Sequence, residues 1–231
     1  MRVRFLKTAL ALLTLFALTG CGSAGPGPSG KAAQAQSGAV SEPADAAGSG
    51  EDAEQTAGSA LVVYFSRTGE NYTVGTISTG NTAIVGDLIA KSVGADVFEI
   101  IPVTPYPDSY DECLEVATQE QRSNARPAYV GEVENWADYD TVFFGYPIWW
   151  GDMPMIAYTF LENHDFTGKT VIPFNTHEGS GQSGTQSTIE SLCPGATVLD
   201  GLAVRGNTAQ NDQAATQQAV SEWLGGMDFF G

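Results

Sequence analysis

Histidine, cysteine and positive charge are all scarce in this sequence. Its 231 residues hold two histidines, three cysteines and ten Lys+Arg against 27 Asp+Glu. Two histidines exclude a His-rich metal site. Three cysteines cannot build a disulfide scaffold, and no two of them form the C-x-x-C of a redox dithiol. A formal net charge of −17 without any cluster of Lys or Arg excludes nucleic acid as a partner, because phosphate backbones demand concentrated positive charge. The longest apolar run, Ala9 to Leu18, falls short of the ~20 residues that an ordinary membrane span needs. What is present suffices for a core: 42% of residues are hydrophobic and 10% aromatic, which excludes a wholly disordered chain. The length allows one domain, or two small ones at most.

The amino terminus carries a targeting pattern. Arg2, Arg4 and Lys7 precede the apolar run, as in a secretory signal over residues 1–20. The run ends in Leu18-Thr19-Gly20-Cys21, which resembles the lipobox of bacterial lipoproteins. That resemblance implies cleavage before Cys21 and acylation of its thiol. The expected location is therefore outside the cytoplasm, on the membrane through the lipid alone, since the acidic chain is repelled by anionic headgroups. Residues 22–59 are rich in Gly, Ala, Ser, Pro and Gln and have no aromatics. Such a segment buries too little to offset its ordering entropy. With Cys21 it reads as a tether, with a reach of roughly 30–37 Å as a flexible coil.

From Ala60 to the end the pattern alternates between strand and helix. Ala60 to Phe65 is a continuous apolar run, the mark of a strand buried on both faces. Helical spacing over Asn81 to Val93 follows. The further strands are expected at Asp96 to Ile101, Thr141 to Tyr146, Thr170 to Phe174 and Ala196 to Val204. The further helices are expected over Ser109 to Ala125, Met153 to His164, Ser183 to Leu192 and Gln213 to Leu224. Five strands alternating with five helices imply a doubly wound α/β fold, its parallel sheet covered by helices on both faces. Ligands in such folds sit beyond the carboxyl ends of the strands. Function is thus expected in the loops after the first, third and fourth strands.

Those three loops are chemically distinctive. Ser66-Arg67-Thr68-Gly69 follows the first strand, and Gly80-Asn81-Thr82 opens the first helix. Hydroxyls and amides at a helix N-terminus suit an anion. Neither a Walker ending nor a G-x-G-x-x-G spacing is present. After the third strand stands Gly145-Tyr146-Pro147-Ile148-Trp149-Trp150-Gly151, an aromatic cluster suited to a flat ligand. After the fourth stands Thr176-His177-Glu178-Gly179-Ser180-Gly181, whose glycines permit close backbone approach. His177 could manage a proton near neutral pH, or simply bond a neighbour. Cys113 and Cys193 are expected as two buried thiols.

Strand, Ser-Arg-Thr-Gly and then Asn-Thr on a helix resembles the phosphate loop of flavodoxins. In that family the Gly leads directly into Asn-Thr, whereas here Glu70 to Gly80 stands between the two halves. The resemblance covers about residues 60–225 and implies a flavodoxin-like fold that binds FMN. It assigns Ser66, Arg67, Thr68, Gly69, Asn81 and Thr82 to the phosphate side. Pro147, Ile148, Trp149, Trp150 and Gly151 would flank one side of the isoalloxazine ring. Thr176, His177, Glu178, Gly179, Ser180 and Gly181 would flank the other. Two functions from different classes follow. One is a flavoprotein that carries electrons to a redox partner protein or reduces a small acceptor such as a quinone. The other is a lipid-anchored binding module on a flavodoxin-like frame without FMN.

Overall fold

The computed structural model describes residues 59–227. The expected signal, Cys21 and all but the last residue of the expected tether lie outside these residues. Strand β1 (Ser59–Tyr64) is followed by a short antiparallel hairpin, β2 (Gly69–Asn71) and β3 (Gly75–Ile77). Then come α1 (Asn81–Val93), β4 (Asp96–Glu99), β5 (Ile101–Pro102), α2 (Tyr110–Ser123) and β6 (Tyr129–Val130). A 3₁₀ turn (Trp136–Asp138) leads into β7 (Tyr139–Pro147), α3 (Met155–Asn163), β8 (Thr170–His177) and α4 (Thr185–Leu192). The chain closes with β9 (Thr197–Val198), β10 (Leu202–Arg205), α5 (Gly206–Asn211) and α6 (Gln213–Gly225).

The central sheet is parallel, in the order β10-β8-β7-β1-β4, with β9 also on β8. Its two faces are read directly from the period of two along each strand. Leu61, Val63 and Phe65 of the β1 segment join Val142, Phe144 and Tyr146 of β7 against Ile156 and Phe160 of α3 and Ile189 of α4. Val62 and Tyr64 point the other way, with Phe143, Ile172 and Phe174, against Val85 and Ile89 of α1 and Val220 of α6. Each apolar strand thus feeds two cores, which is why the strands have no polar alternation. The chain leaves β1 toward β4, then crosses to β7 on the other side of β1. That reversal puts the switch point between the carboxyl ends of β1 and β7.

The expected doubly wound α/β fold is present, although the strand expected over Asp96 to Ile101 ends at Glu99, with Ile101 paired to Val130 of β6. A sixth, unexpected helix is α5, and three further differences are local. The single strand expected over Ala196 to Val204 is two pieces. Val198 pairs with Val171 and Leu202 with Phe174, so the edge runs one residue longer than β8 between these points. The bulge sits opposite Pro173, which has no N–H for a ladder, and an added Cβ on Gly201 would stand 2.7 Å from the Pro173 carbonyl. Second, β8 continues through Asn175, Thr176 and His177, which pair with β10 despite their polarity. Third, the stretch after Gly69 is the β2–β3 hairpin. Cys113 and Cys193 are buried free thiols, as expected. Among the described residues no helix is long and apolar enough to cross a membrane.

Gly145 marks the tightest packing in the sheet. A Cβ there would lie 2.1 Å from Cζ of the Phe174 ring, in a part of β7 that is wholly buried. Gly145→Ala is expected to destabilise the domain by about 1–3 kcal/mol through overpacking. Urea unfolding should show a lower midpoint at an unchanged slope.

Candidate functional site

The loop after β1 is organised by two side chains. Ser66 Oγ accepts the amide of Ala83, 3.0 Å away, in the first turn of α1. Gly80 makes this possible, since a Cβ there would stand 2.2 Å from that oxygen. The amide of Ile84 goes to the Gly80 carbonyl. The first amides of a helix have no partner inside it, so those of Asn81 and Thr82 are left as the open donors among the described residues. The hydroxyl proton of Ser66 is likewise available, because its oxygen acts as an acceptor toward the helix.

Arg67 is the second organiser. It is 9% exposed, and its guanidinium donates to the carbonyls of Pro107, Asp108, Ser109 and Glu70. The β2–β3 hairpin is fastened to the same place. The Glu70 amide donates to the Asp108 carbonyl at 2.8 Å, and the Glu70 carboxylate accepts the Tyr110 amide at the start of α2. Gly69 has φ +79°, and a Cβ on it would meet Asp108 at 2.9 Å. The residues inserted between the two halves of the loop therefore form a strut against α2, and the second half still reaches the helix. Thr68 is exposed on the way. Thr82 is buried, its hydroxyl 2.8 Å from that of Thr176, so it joins the first turn of α1 to the end of β8.

The loop after β7 is a two-residue turn. Trp149 and Asp152 exchange both backbone hydrogen bonds, at 2.8 and 3.1 Å. The central residues, Trp150 and Gly151, have φ of +53° and +75°, the geometry of a type I′ turn. The two tryptophans differ in kind. Trp149 sets its ring edge-on to Phe65 and Tyr106, with centroids 5.5 and 5.1 Å away, and belongs with the core. Trp150 is 56% exposed in a backbone conformation that bulky residues avoid. Strain and exposure on one large aromatic side chain point to a binding role. The Asp152 carboxylate turns to α3, where it accepts the Tyr158 hydroxyl and the Met153 amide.

At the end of β8, His177 Nδ1 accepts the Gly179 amide at 2.9 Å, which leaves its proton on Nε2. Burial, then the charge of Arg205, hold its pKa below the usual 6.5, against the opposing pull of Glu178. Glu178 accepts the Asn207 amide at the start of α5. Gly181 is tied by its carbonyl to Asn175 Nδ2, and Gly179 takes φ +134°.

These segments surround one cleft of about 180 Å³. Of the residues nominated from the sequence, the structure brings Arg67, Asn81, Pro147, Ile148, Trp149, Trp150, Thr176, His177 and Glu178 to its wall. Ser66, Thr68, Gly69, Thr82, Gly151, Gly179, Ser180 and Gly181 lie in the same loops and the first turn of α1 but not on this wall. Sequence reasoning missed Asn71 and Tyr72 of the hairpin, the wall made by α2, and Gly206. The α2 residues had a signal, since Tyr110, Cys113, Leu114 and Ala117 recur at i, i+3, i+4 and i+7. Asn81 carries the most informative atom: its Oδ1 is buried and has no hydrogen-bond partner among the described residues. Gly206 leaves room for that amide, as a Cβ there would be 2.3 Å from Asn81 Nδ2. A buried acceptor left unpaired costs about 1–3 kcal/mol, so this oxygen is open to a donor on a molecule that enters the cleft. No group of His, Cys, Asp and Glu among the described residues could hold a metal ion.

A family model described as flavodoxin matches residues 60–225. Among curated proteins none matches the chain. Two solved structures of candidate flavoproteins are similar to it. One, from Bacteroides eggerthii, is 31% identical over 72% of this chain and 96% of its own, with a TM-score of 0.58. Another, from Bacteroides uniformis, is 31% identical over 73% and 98%, with a TM-score of 0.59. A flavoprotein of Lactobacillus acidophilus in complex with FMN shares the fold at 19% identity and a TM-score of 0.50.

Two outcomes are expected from this geometry. Trp150→Asn creates an Asn-Gly pair suited to the turn and should stabilise the domain by about 1 kcal/mol in urea unfolding. In ¹⁵N NMR, His177 should be the Nε2–H tautomer at pH 7 and titrate below 6.5. Because the folded value is the lower one, its contribution to stability is complete above pH 6.5 and is lost as pH falls below it.

Proposed function

The chain belongs to the flavodoxin family, and on that premise we propose that its cleft binds FMN for electron transfer outside the cytoplasm. The observation that carries this reading is Asn81. Its orphaned Oδ1 needs a hydroxyl or amide donor, directly beside a helix N-terminus that needs an anion. A ribityl phosphate has both, in that order. The amides of Asn81 and Thr82 and the Ser66 hydroxyl would hold the phosphate. Pro147, Ile148 and the exposed face of Trp150 would bound the ring on one side, with Thr176 to Glu178 on the other. His177 Nε2–H is a donor for a ring acceptor. When bound, FMN supplies one- and two-electron chemistry, and the protein supplies position and field. One helix N-terminus, with no second nucleotide fingerprint, favours FMN over FAD.

The cellular setting is part of the proposal. The basic start, short apolar run and Leu-Thr-Gly-Cys sequence support export, with attachment to the membrane through lipid on Cys21. From residue 60 onward six Lys+Arg face 22 Asp+Glu. A protein redox partner would accordingly present a basic face, and its association would weaken with salt. The other route is direct reduction of a small acceptor.

Titration of the domain from Ala60 with flavins tests the reading. FMN should bind one to one and FAD much more weakly. Ser66→Ala should weaken FMN about 10- to 100-fold, as expected for a hydrogen bond to a charged group, and riboflavin far less. If no flavin binds after reconstitution, the flavoprotein reading falls and the lipid-anchored binding module takes its place.

A further inference from the structure

Trp149 lines two spaces at once. One is the cleft, and the other is a small cavity of about 10 Å³ formed with Glu120 and Gln121 of α2, Met153 and Met155. A contact that holds this indole in place therefore also fixes part of the cleft wall. Tyr106 makes such a contact, edge-on, with ring centroids 5.1 Å apart and planes at 88°.

Tyr106 is itself held at both ends. It stands in Pro105-Tyr106-Pro107, where the prolines restrict the backbone, and the Pro107 carbonyl accepts from Arg67 at 3.2 Å. Its hydroxyl donates to Glu120 Oε2 at 2.8 Å. Neither Tyr106 nor Glu120 lines the cleft, so their effect on a ligand there passes through Trp149.

Packing alone would not place a carboxyl at Glu120. Among methionine and tryptophan side chains an apolar residue fills the space without desolvating a charge. Burial raises the Glu120 carboxyl above its usual 4.5, against the opposing bond from Tyr106. Burial, then the charge of Glu120, raises the Tyr106 hydroxyl, which stays a donor. Cys113 faces Glu120 from the same helix, and burial raises its thiol as well, against the charge of Arg67. The turn after β7 and the start of α3 bring only uncharged side chains to the small cavity. Asp152 belongs to that turn, but its carboxylate is turned to Tyr158 and the Met153 amide.

We propose that Glu120 and Tyr106 are positioning residues, which set the Trp149 indole on the cleft wall and thereby the shape offered to a flavin ring. The inference rests on the flavin reading above for its use, and on the Tyr106 contacts alone for its existence. A carboxylate accepts the hydroxyl more strongly than a neutral carboxyl does. The wall is accordingly firmest while Glu120 is ionised, and loosens as acid protonates it.

The indole N–H resonance of Trp149 in the flavin-free protein, identified by its loss in Trp149→Phe, tests the proposal. It should shift in one titration centred above pH 4.5, and hold a single position across that range in Glu120→Gln. Tyr106→Phe should displace it. In flavin titrations at pH 7, Tyr106→Phe should weaken FMN and riboflavin by one common factor, about three- to tenfold, the scale of one hydrogen bond. Glu120→Gln, which still accepts the hydroxyl, should keep most of the affinity. A resonance unmoved by Tyr106→Phe overturns the proposal, as does a titration that survives in Glu120→Gln or a flavin affinity that Tyr106→Phe leaves unchanged. If the wild-type protein binds no flavin while the resonance responds as stated, the flavin reading fails and the positioning of the wall stands.

Discussion

The buried guanidinium of Arg67 is the interaction on which the cleft depends. An unpaired charge at 9% exposure would cost several kcal/mol, and this one is tolerated because carbonyl oxygens surround it. Those oxygens come from segments far apart in sequence: the start of the hairpin and the approach to α2. By satisfying its donors, Arg67 joins the loop after β1 to the helix after β5. It also removes itself from the anion site. An anion at the start of α1 would meet backbone amides and the Ser66 hydroxyl, which carry partial rather than full charges.

Trp150 represents the opposite arrangement. Its backbone is strained and its ring is exposed, so folding gains little from it. Trp149, one residue earlier, is packed between Phe65 and Tyr106 and serves the core. The type I′ turn produces this division, because it sends successive side chains to different environments. Pairs such as this are where stability is traded for function. The orphaned Asn81 oxygen is a second instance within the same cleft.

Acidity acts at two ranges. Over the whole surface it repels other acidic molecules at long range. Within the cleft, no charge is left free to counter it, and His177 is held neutral by burial and by Arg205. The site is thus electrically quiet on the protein's side except for Glu178. Such a site favours a ligand whose own anion is confined to one end, at the helix N-terminus.

Much of the molecule was legible in the chain order. Continuous apolar runs and helical spacing located the strands of the parallel sheet, with β9 and β10 read as one, and the helix over Asn81–Val93 to the residue, because burial on two faces leaves a strong local pattern. The three loops followed, since parallel strands place their carboxyl ends on one edge. The β2–β3 hairpin was not legible: its strands have three residues each, and its fold is held by α2 rather than by its own sequence. Nor could the sequence separate Trp149 from Trp150, or show that carbonyls surround the Arg67 guanidinium. Local pattern determines elements, because it reports the environment of a residue averaged over its neighbours. Which atoms remain unpaired, as at Asn81, is decided only when distant segments meet and take up one another's donors and acceptors.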